Sequence, residues 1–401
     1  MQYRSFTKDG KKVSLLGFGC MRFESKNGSI DKRKAIAQMH YAYKKGVNYF
    51  DTAYFYHGGK SEVILGEFIK HYGIRDKVFI ADKLPAYVVT KAEQIEKYFD
   101  TQLERLQTDY IDYYLMHMLD SLATWEKLKE FGILEFIDEK RKLGQIRNIG
   151  FSFHGGPEEF IKIVENYEWD FCQIQYNYLD EYNQAGKAGL KRAYELGIGV
   201  AIMEPLRGGS LAAKAPDKVK EIFDSYKDKH SAAFWGLRWV MNHKEVSVVL
   251  SGMNNIDHIK ENIKVAHLTK PNHMTKEEIA IINKVKKVYK QLMKVPCTGC
   301  NYCMPCPFGV DIPYVFSDYN SKYFFGKSAF IQLTYMLRAV GFGMPKPSGA
   351  DLCRDCGKCV RQCPQHIAIP KQLANAHREL TNPMLMPIFK FVAKVFKKKD
   401  K

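Results

Sequence analysis

The sequence contains little that would place the chain in a membrane or direct it out of the cell. Its most apolar stretch, residues 329–344, contains Gln332 and Arg338 and is shorter than the roughly 20 residues that a membrane span needs. The first residues, MQYRSFTKDGKK, contain no apolar segment of the kind a secretory signal requires. Disorder is excluded for most of the chain, because 46% of its 401 residues are apolar and 13% are aromatic. We therefore expect a cytoplasmic, folded protein of two or three domains, or one large barrel with an appendage.

Acidic residues are the scarcer charged type. The 44 Asp and Glu stand against 61 Lys and Arg, which gives a formal net charge of +17. Residues 296–401 hold 15 of the basic and 6 of the acidic residues, so this segment alone carries +9. Such a surface can attract nucleic acid, an anionic membrane or a phosphorylated cofactor. Because no stacking aromatic residues are interleaved with a basic groove motif, we do not expect a nucleic-acid partner.

The end of the chain accounts for much of this charge, since residues 390–401 hold six Lys and one Asp. Within residues 384–401 the basic and apolar positions separate at helical spacing. The basic side contains Lys390, Lys394, Lys397 and Lys398, and the apolar side contains Phe389, Val392 and Phe396. This pattern predicts a basic amphipathic helix that makes peripheral contact with an anionic membrane. A frayed, solvated tail, or a helix docked on the barrel, is the alternative.

Cysteine is nearly absent from the first 295 residues, which contain only Cys20 and Cys172, and is then concentrated in two runs. The runs, each followed by proline, are Cys297, Cys300, Cys303 and Cys306, and Cys353, Cys356, Cys359 and Cys363. In an intracellular chain such spacing favours metal binding over disulfides. Zinc sites typically use two separated pairs of cysteines, whereas three closely spaced cysteines and a fourth before proline are typical of the bacterial ferredoxin run. We predict two [4Fe–4S] clusters, with zinc or another type of cluster as the alternative.

In the ferredoxin run the fourth cysteine binds the other cluster. This predicts one cluster held by Cys297, Cys300, Cys303 and Cys363. It predicts a second cluster held by Cys353, Cys356, Cys359 and Cys306. The first run departs from the pattern at Cys306, because two residues rather than three precede its last cysteine.

A dinucleotide fingerprint GxGxxG is also missing, since GFGCMRF has no third glycine, and this counts against an open, doubly wound sheet. Short apolar runs alternate instead with amphipathic helical segments, one of them Thr124–Lys142, over the first 290 residues. The predicted strands are Ser14–Phe18, Asn48–Asp51, Val78–Lys83, Tyr110–Met116, Ile146–Phe151, Phe171–Gln175, Gly199–Met203 and Ser247–Leu250. Eight βα units in fewer than 300 residues favour an α/β fold, a (β/α)8 TIM barrel, with the open sheet as the alternative.

Polar side chains occur where the second, third and fourth of these strands end. Asp51 closes the second strand, Lys83 closes the third, and His117 follows the fourth. Tyr56 lies shortly beyond Asp51, on the loop above the same end. Because the C-terminal ends of barrel strands form the mouth where active sites lie, we expect these four side chains to converge. Each alone has an ordinary structural explanation, but four at successive strand ends indicate a catalytic site.

Residues 1 to about 270 resemble the aldo/keto reductase family of NAD(P)H-dependent (β/α)8 barrels. The similarity is carried by the segments LLGFGCMRF, NYFDTAYFYHGGKSEVILGE, FIADKL, DYYLMH, NIGFS, CQIQYN and SGMNNIDHIKEN. The whole chain is similar to the branch of that family with a C-terminal ferredoxin-like domain that binds two clusters. The resemblance implies a catalytic tetrad of Asp51, Tyr56, Lys83 and His117, and a small-molecule carbonyl or alcohol substrate.

The tetrad defines an expected chemistry. Tyr56 is the expected general acid, and a cationic Lys83 nearby would lower the pKa of its phenol from about 10. Asp51 would pair with Lys83 and keep it charged and oriented. His117 would donate a hydrogen bond to the substrate oxygen and help to form an oxyanion hole.

The resemblance also implies a nicotinamide dinucleotide site, with Ser152 and Gln175 at the carboxamide and the loop MEPLRGG along the pyrophosphate. The full set of implied contacts is Gly19, Cys20, Met21, Asp51, Ser152, Gln175, Met203, Leu206, Gly252, Asn255, His258, Glu261 and Asn262. Three positions depart from the family: Phe153 replaces an asparagine, Met203 an aromatic residue and His258 an arginine. Losing that arginine removes a bidentate phosphate contact, so both NADP(H) and NAD(H) stay open.

These features together predict a barrel in residues 1–290, a ferredoxin-type domain in 291–380 and a basic tail in 381–401. The expected function is NAD(P)H-dependent carbonyl reduction or alcohol oxidation. The clusters would either exchange electrons, for instance with an external electron carrier, or brace the fold. The alternative is an iron–sulfur electron-transfer or redox-sensing protein whose barrel is non-catalytic or uses another redox cofactor.

Overall fold

The computed structural model describes residues 1–26, 29–212, 215–325, 328–341 and 346–389. The chain forms two compact units. The first comprises Met1–Leu206 and Ala233–Lys276, and the second comprises Arg207–Ala232 and Glu277–Lys401. The domain bounds proposed from the sequence, at residues 290 and 380, stay a prediction.

The described residues form short strands and helices in a largely alternating order. The strands are β1 (Tyr3–Ser5), β2 (Lys12–Ser14), β3 (Leu16–Gly19), β4 (Ser25–Lys26), β5 (Ser29–Ile30), β6 (Tyr49–Asp51), β7 (Phe79–Leu84), β8 (Ile111–Leu119), β9 (Ile146–Phe153), β10 (Phe171–Gln175), β11 (Gly199–Met203) and β12 (Val248–Ser251). The α-helices that lie wholly or almost wholly in the first unit are α1 (Lys32–Lys44), α2 (Lys60–Tyr72), α3 (Glu93–Leu106), α4 (Leu122–Glu130), α5 (Ile133–Lys142), α6 (Pro157–Asn166), α7 (Gly186–Glu195), α9 (Ala232–Met241) and α10 (Ile256–Leu268). Those of the second unit are α8 (Asp217–Asp224), α11 (Lys276–Leu292), α12 (Ile312–Phe325), α13 (Ser328–Val340), α14 (Lys358–Arg361) and α15 (Ile369–Leu380).

Eight of the strands close into a parallel barrel in the order β10, β11, β12, β3, β6, β7, β8 and β9. They are the eight predicted strands, with ends shifted by at most a few residues. Their side chains are almost all buried, because a barrel strand is covered on both faces, and this explains the continuous apolar runs in the sequence. The predicted (β/α)8 fold is confirmed, and the open sheet is not formed.

Aromatic rings fill the end of the barrel where the strands begin. Phe6, just after β1, has its ring 5.7 Å from that of Tyr49 and 4.9 Å from that of Tyr113. It also lies 5.1 Å from the ring of Phe171, the first residue of β10. With this end packed, the C-terminal mouth is the end at which the barrel presents functional side chains.

One predicted helix is divided in the structure. The segment Thr124–Lys142 contains two helices, α4 and α5, with Gly132 between them at φ 79°. That left-handed conformation strains residues with a Cβ, so glycine is the residue that ends a helix there. The stretch predicted to be helical is helical, but it is divided into two helices at this glycine.

The second unit has its own apolar core. Val295, Phe316, Tyr335 and Leu373 are buried in one cluster, and several of the late cysteines are partly buried against it. Asn320 on α12 fixes the segment that leads into the first cysteine run. Its side chain accepts from the amide of Val295 over 3.0 Å and donates to the carbonyl of the same residue over 2.7 Å.

In the part of the chain that the structure describes, no helix is long and apolar enough to cross a membrane. The predicted basic tail lies outside the described residues from position 390 onward. Its first aromatic residue, Phe389, is partly buried against the core of the second unit. The start of the tail therefore packs on the second unit, and the choice between membrane contact, a solvated tail and docking on the barrel stays a prediction.

Candidate functional site

The four polar side chains expected at the strand ends meet at the C-terminal mouth of the barrel. Lys83 on β7 donates from Nζ to Asp51 Oδ1 over 2.7 Å and to the carbonyl of Thr52 over 2.6 Å. The ring centroid of Tyr56 lies 5.1 Å from Lys83 Nζ and 6.0 Å from the centroid of His117. The arrangement places a phenol and an imidazole next to a buried ion pair.

A tight turn after β6 places Tyr56 above this pair. The segment Tyr56–Gly59 is a short 3-10 turn in which His57, Gly58 and Gly59 all have positive φ. At Gly59 an added Cβ would also meet the guanidinium of Arg105 at 2.8 Å. Because the chain reverses at once into α2, the tyrosine stays over the end of β6.

Burial sets the protonation of the two rings. It raises the pKa of the Tyr56 phenol well above its ordinary value, and the charge of Asp51 adds to the increase. It lowers the pKa of His117 well below its ordinary value, with smaller contributions from Lys83 and His154. At neutral pH the phenol therefore keeps its proton and the imidazole is neutral. The expected lowering of the Tyr56 pKa by Lys83 is wrong, because burial outweighs a lysine charge that Asp51 already matches.

Two groups at the mouth were missed from the sequence. Gln173 on β10 donates to the second carboxylate oxygen of Asp51 over 2.8 Å, so both oxygens are bonded. The only signal was its place two residues before Gln175, which puts both side chains on one face of the strand. Tyr87 is 44% exposed, and its ring lies 5.8 Å from that of His117. It gives the mouth an aromatic border beside the imidazole.

The two residues expected to hold a carboxamide are bonded to protein groups. The Ser152 hydroxyl accepts from the backbone amide of Met118 over 2.8 Å. The Gln175 side chain donates to Asp180 over 2.7 Å, and its oxygen accepts from Gln184. Since both residues are buried, a carboxamide at this position would have to share or displace these partners.

Four of the residues expected at the adenosine end of a dinucleotide lie in and before α10. Asn255 caps the helix, because its side chain accepts from the amide of Asp257 over 2.8 Å. Asn262 is buried and donates to Ser251 Oγ over 3.0 Å. His258 is exposed and Glu261 is half-buried on the same helix. The helix therefore begins with a satisfied cap and carries no arginine at the expected phosphate position.

Gly252 stands just before this helix and reveals a cation that the sequence did not suggest. A Cβ at Gly252 would lie 3.0 Å from the side chain of Arg22. Arg22 comes from the short turn after β3 and is exposed. It adds positive charge near the N-terminus of α10, where anions are favoured.

The remaining implied contacts lie at the ends of two other strands. Gly19 ends β3, and Cys20 and Met21 follow it in a 3-10 turn. Cys20 is fully buried, and burial raises the pKa of its thiol well above the ordinary value, which makes the thiol unreactive. Met203 ends β11, with Leu206 three residues beyond, and both are half-buried.

The eight late cysteines separate into two groups around two cavities. The first cavity is lined by Cys297, Cys300, Cys303 and Cys363, and the second by Cys306, Cys353, Cys356 and Cys359, with Cys303 also reaching its edge. Cys303 neighbours Cys297 and Cys363 most closely. Cys359 likewise has Cys353 and Cys306 among its neighbours. The last cysteine of each run therefore crosses to the other group.

This grouping fits a polynuclear cluster in each cavity. Among the described residues, no three Cys, His, Asp or Glu side chains are placed to hold a single metal ion. Four thiols spread around a cavity suit a [4Fe–4S] cluster, in which each iron takes one thiolate, better than one zinc ion. Cys356 is exposed, whereas the other seven late cysteines are partly buried.

A (β/α)8 barrel with this mouth, joined to a unit with two four-cysteine cavities, defines an oxidoreductase barrel combined with an iron–sulfur domain. Two family models match the chain: "Aldo/keto reductase family" over residues 15–287 and "4Fe-4S dicluster domain" over residues 296–368. The chain belongs to the aldo/keto reductase family and carries a 4Fe–4S dicluster domain after the barrel. The family, fold and iron–sulfur domain expected from the sequence are confirmed.

The relatives are oxidoreductases that match mainly the barrel. The chain is 25% identical to L-galactose dehydrogenase of Arabidopsis thaliana, over 73% of this chain and 96% of the relative. It is also 25% identical to Protein tas of Escherichia coli, over 72% and 99%. Among solved structures, aldo-keto reductase AKR11C1 from Bacillus halodurans (holo form) is 26% identical, with a TM-score of 0.60 and coverage of 71% and 96%. The protein is therefore an oxidoreductase that acts on small molecules.

Proposed function

We propose that the barrel reduces a small carbonyl compound with NAD(P)H, or oxidises the corresponding alcohol. The bound nicotinamide supplies the hydride. Tyr56 donates the proton to the developing alkoxide, and neutral His117 donates a hydrogen bond to the same oxygen. The proposal depends above all on one observation, the approach of the Tyr56 and His117 rings to 6.0 Å above the bonded Lys83–Asp51 pair.

The protonation states support proton donation by Tyr56. Its raised pKa keeps the phenol protonated at neutral pH, so the acid is present in the form that the reduction consumes. Lys83 Nζ lies 5.1 Å from the ring centroid and offsets only part of the negative charge left on the tyrosine after transfer, because Asp51 already matches most of the lysine charge. Asp51 is held on both oxygens and keeps the ammonium charged and in place.

The fit to a dinucleotide differs between its two ends. At the phosphate end, Arg22 and the N-terminus of α10 offer positive potential. Because Gly252 has no side chain, the Arg22 side chain can lie close to the start of this helix. The exposed His258 lacks the bidentate geometry of an arginine, which leaves the choice between NADP(H) and NAD(H) to measurement. At the other end, Ser152 and Gln175 must share or exchange their present partners to hold a carboxamide.

The decisive variant is Tyr56→Phe. Loss of the general acid should lower kcat for carbonyl reduction by about 10²–10⁴-fold while leaving dinucleotide affinity unchanged. Tyr87→Phe is the matched control, since it removes a phenol hydroxyl from a neighbouring ring and should keep activity near that of the parent. Equal kcat for Tyr56→Phe and the parent protein would sink the proposal.

We propose further that the two clusters, which supply one-electron steps, exchange electrons with an external carrier. Cys356 is exposed at the second cavity, so this cluster lies near solvent. Arg354 and Lys358 line this cavity and are exposed, and the same segment also exposes Asp355. The two cations at the cavity suit an acidic group on a carrier protein, because complementary charge speeds encounter.

The alternative role of the clusters is to brace the second unit, as structural metals do. Anaerobic titration separates the two roles. Electron exchange predicts that NAD(P)H with substrate, or a reduced carrier, bleaches the cluster absorbance. If neither treatment changes the spectrum and cysteine variants without one cluster reduce carbonyls normally, electron exchange fails and bracing stands.

A second function, electron transfer or redox sensing with a barrel that does not use nicotinamide, is favoured by one observation. Both ends of the Gln175 amide are bonded within the protein, and Met203 stands where a stacking aromatic residue is expected. Calorimetric titration of the cluster-loaded protein with NADPH, NADH and free flavins decides between the two functions. Binding of flavin without either dinucleotide would favour the second.

A further inference from the structure

A second pair of carboxyl groups lies directly behind the lysine of the mouth. Asp82 precedes Lys83 on β7, so its side chain points away from the mouth, toward the helices outside the barrel. There it lies within hydrogen-bonding range of Glu62 on α2. Both side chains have a relative exposure of 0%. Two carboxyl groups are thus enclosed together with no access to solvent.

The neighbouring cations cannot neutralise both of them. Arg105 Nη1 donates to Glu62 Oε2 over 2.7 Å and is the cation of that carboxylate. The ammonium of Lys83 is directed to the mouth, where it pairs with Asp51. Among the described residues, no salt bridge joins Asp82 to a cation. The charged and titratable groups that interact with the pair are Arg105 on α3, Lys83 on β7, Tyr114 on β8, and Tyr56 and Cys20 at the mouth.

The hydrogen bonds around Asp82 show where a proton belongs. Its Oδ1 accepts from the backbone amide of Lys83 over 2.8 Å. Its Oδ2 has no donor among the described residues. Gln102 donates to Glu62 Oε1 over 3.3 Å and to the carbonyl of Lys83 over 3.0 Å. A proton on Asp82 Oδ2, directed to Glu62, would satisfy the one oxygen that otherwise has no partner.

We propose that Asp82 and Glu62 share one proton at neutral pH, and that neutral Asp82 is a positioning residue that fixes the backbone of Lys83. Burial and the charge of Glu62 both raise the pKa of Asp82, which agrees with this assignment. A neutral Asp82 holds the Lys83 amide without competing with Asp51 for the ammonium. It also adds no negative charge behind Tyr56. The catalytic consequence rests on the proposed carbonyl reduction, whereas the shared proton does not.

The shared proton is tested by the pH dependence of stability. A carboxyl whose pKa is raised in the folded protein stabilises the fold below its ordinary value, near 4, and loses that contribution as pH rises toward the folded value. Asp82→Asn replaces the protonated form by a neutral isostere, so its stability relative to the parent should increase with pH. Asp100→Asn on α3 is the control, because it makes the same chemical change at an exposed position. Its difference from the parent should change little.

The measurement is urea unfolding of the full-length, cluster-loaded protein at several pH values. A gain for Asp82→Asn that grows with pH, and exceeds that of Asp100→Asn, supports the shared proton. A gain that is constant, or equal in the two variants, overturns it. Asp82→Leu, which cannot accept from the Lys83 amide, should be less stable than Asp82→Asn at every pH; equal stability overturns the positioning role.

Activity gives an independent readout. Asp82→Asn should keep kcat near the parent value, whereas Asp82→Leu should lose on the order of tenfold to hundredfold in kcat with little change in dinucleotide affinity, because Lys83 shifts. An equal loss in both variants overturns the positioning role. If the parent protein itself reduces no carbonyl, the proposed function fails, and the stability series still decides whether the proton is shared and the backbone held.

Discussion

The ion pair at the mouth should behave as a tightly coupled unit when its members are changed singly and together. The side chain of Lys83 is 0% exposed and that of Asp51 is 5% exposed, with 2.7 Å between the charged atoms. Lys83→Met removes the ammonium and keeps most of the aliphatic chain. Asp51→Asn removes the carboxylate charge at constant size. The two single variants and the double variant complete a double-mutant cycle.

The magnitude follows from burial. At an effective dielectric constant of about 20, two unit charges separated by 2.7 Å attract each other by about 6 kcal/mol. Desolvation costs several kcal/mol per ion, so the intact pair contributes little net stability, but removing one partner costs about 3–5 kcal/mol. Each single variant should lose about 3 kcal/mol of unfolding free energy, the lower end of this range. The remaining charged group keeps one hydrogen bond in each case, Asp51 with Gln173 and Lys83 with the Thr52 carbonyl. The double variant should lose about 3–4 kcal/mol, about 2–3 kcal/mol less than the sum of the single losses, and the remaining loss reflects the neighbours of the pair, such as the Thr52 carbonyl, that stay without a partner.

Urea unfolding followed by tryptophan fluorescence measures this coupling. All four tryptophans, Trp125, Trp169, Trp235 and Trp239, belong to the first unit, so the signal reports on the barrel. The control cycle uses the exposed pair Lys260 and Asp257, for which the two losses should add almost completely. Losses at Lys83 and Asp51 that add within about 0.5 kcal/mol would refute the reasoning, because they would mean that neither charge depends on the other.

Protonation, a buried arginine and the tail give three further predictions. Because burial lowers the pKa of His117, the parent should lose stability as pH falls below about 6.5, while His117→Asn loses less; equal losses would contradict the buried neutral imidazole. Arg207, 1% exposed, donates to the carbonyl of Pro296 over 3.0 Å, so Arg207→Met should destabilise the second unit by about 1.5–3 kcal/mol and speed iron loss to a chelator. Arg378→Met, at an exposed site on α15, should have neither effect, and equal rates of iron loss would count against this role. Deleting residues 390–401 should abolish salt-sensitive sedimentation with anionic liposomes; unchanged sedimentation would rule out membrane contact through the tail.

The fold could be predicted where its signal is local. Buried parallel strands have apolar side chains on both faces, so each appears as a short apolar run, and eight such runs locate the barrel. Strand ends are different, because they depend on neighbours. The strand β8 continues past the predicted end at Met116, since pairing with β9 resumes at Leu119 and Phe153 after an irregularity at Met118. No local pattern encodes that resumed pairing.

The residues of the candidate site were likewise predictable only where the signal in the sequence is local. The strand-end residues of the mouth were found because the barrel repeats one βα unit per strand, which turns sequence spacing into proximity. Gln173, in contrast, reaches Asp51 across the barrel from a residue 122 positions away. Glu62 and Asp82 likewise come together from two separate elements, α2 and β7. Contacts of this kind depend on how the elements pack and leave no mark in the spacing of either partner.

The direction of the Tyr56 pKa is the point at which reasoning from residue types failed, and the reason bears on the chemistry. A lysine beside a tyrosine lowers the pKa of the phenol only if its charge is not already matched. Here Asp51 and the Thr52 carbonyl both accept from Lys83, and Gln173 holds the other carboxylate oxygen, so the phenol faces a nearly neutral pair. Burial then decides and keeps the proton on Tyr56. A mouth in this state begins with the proton that carbonyl reduction consumes, whereas alcohol oxidation must first remove it, so rising pH should shift the balance of the two rates toward oxidation.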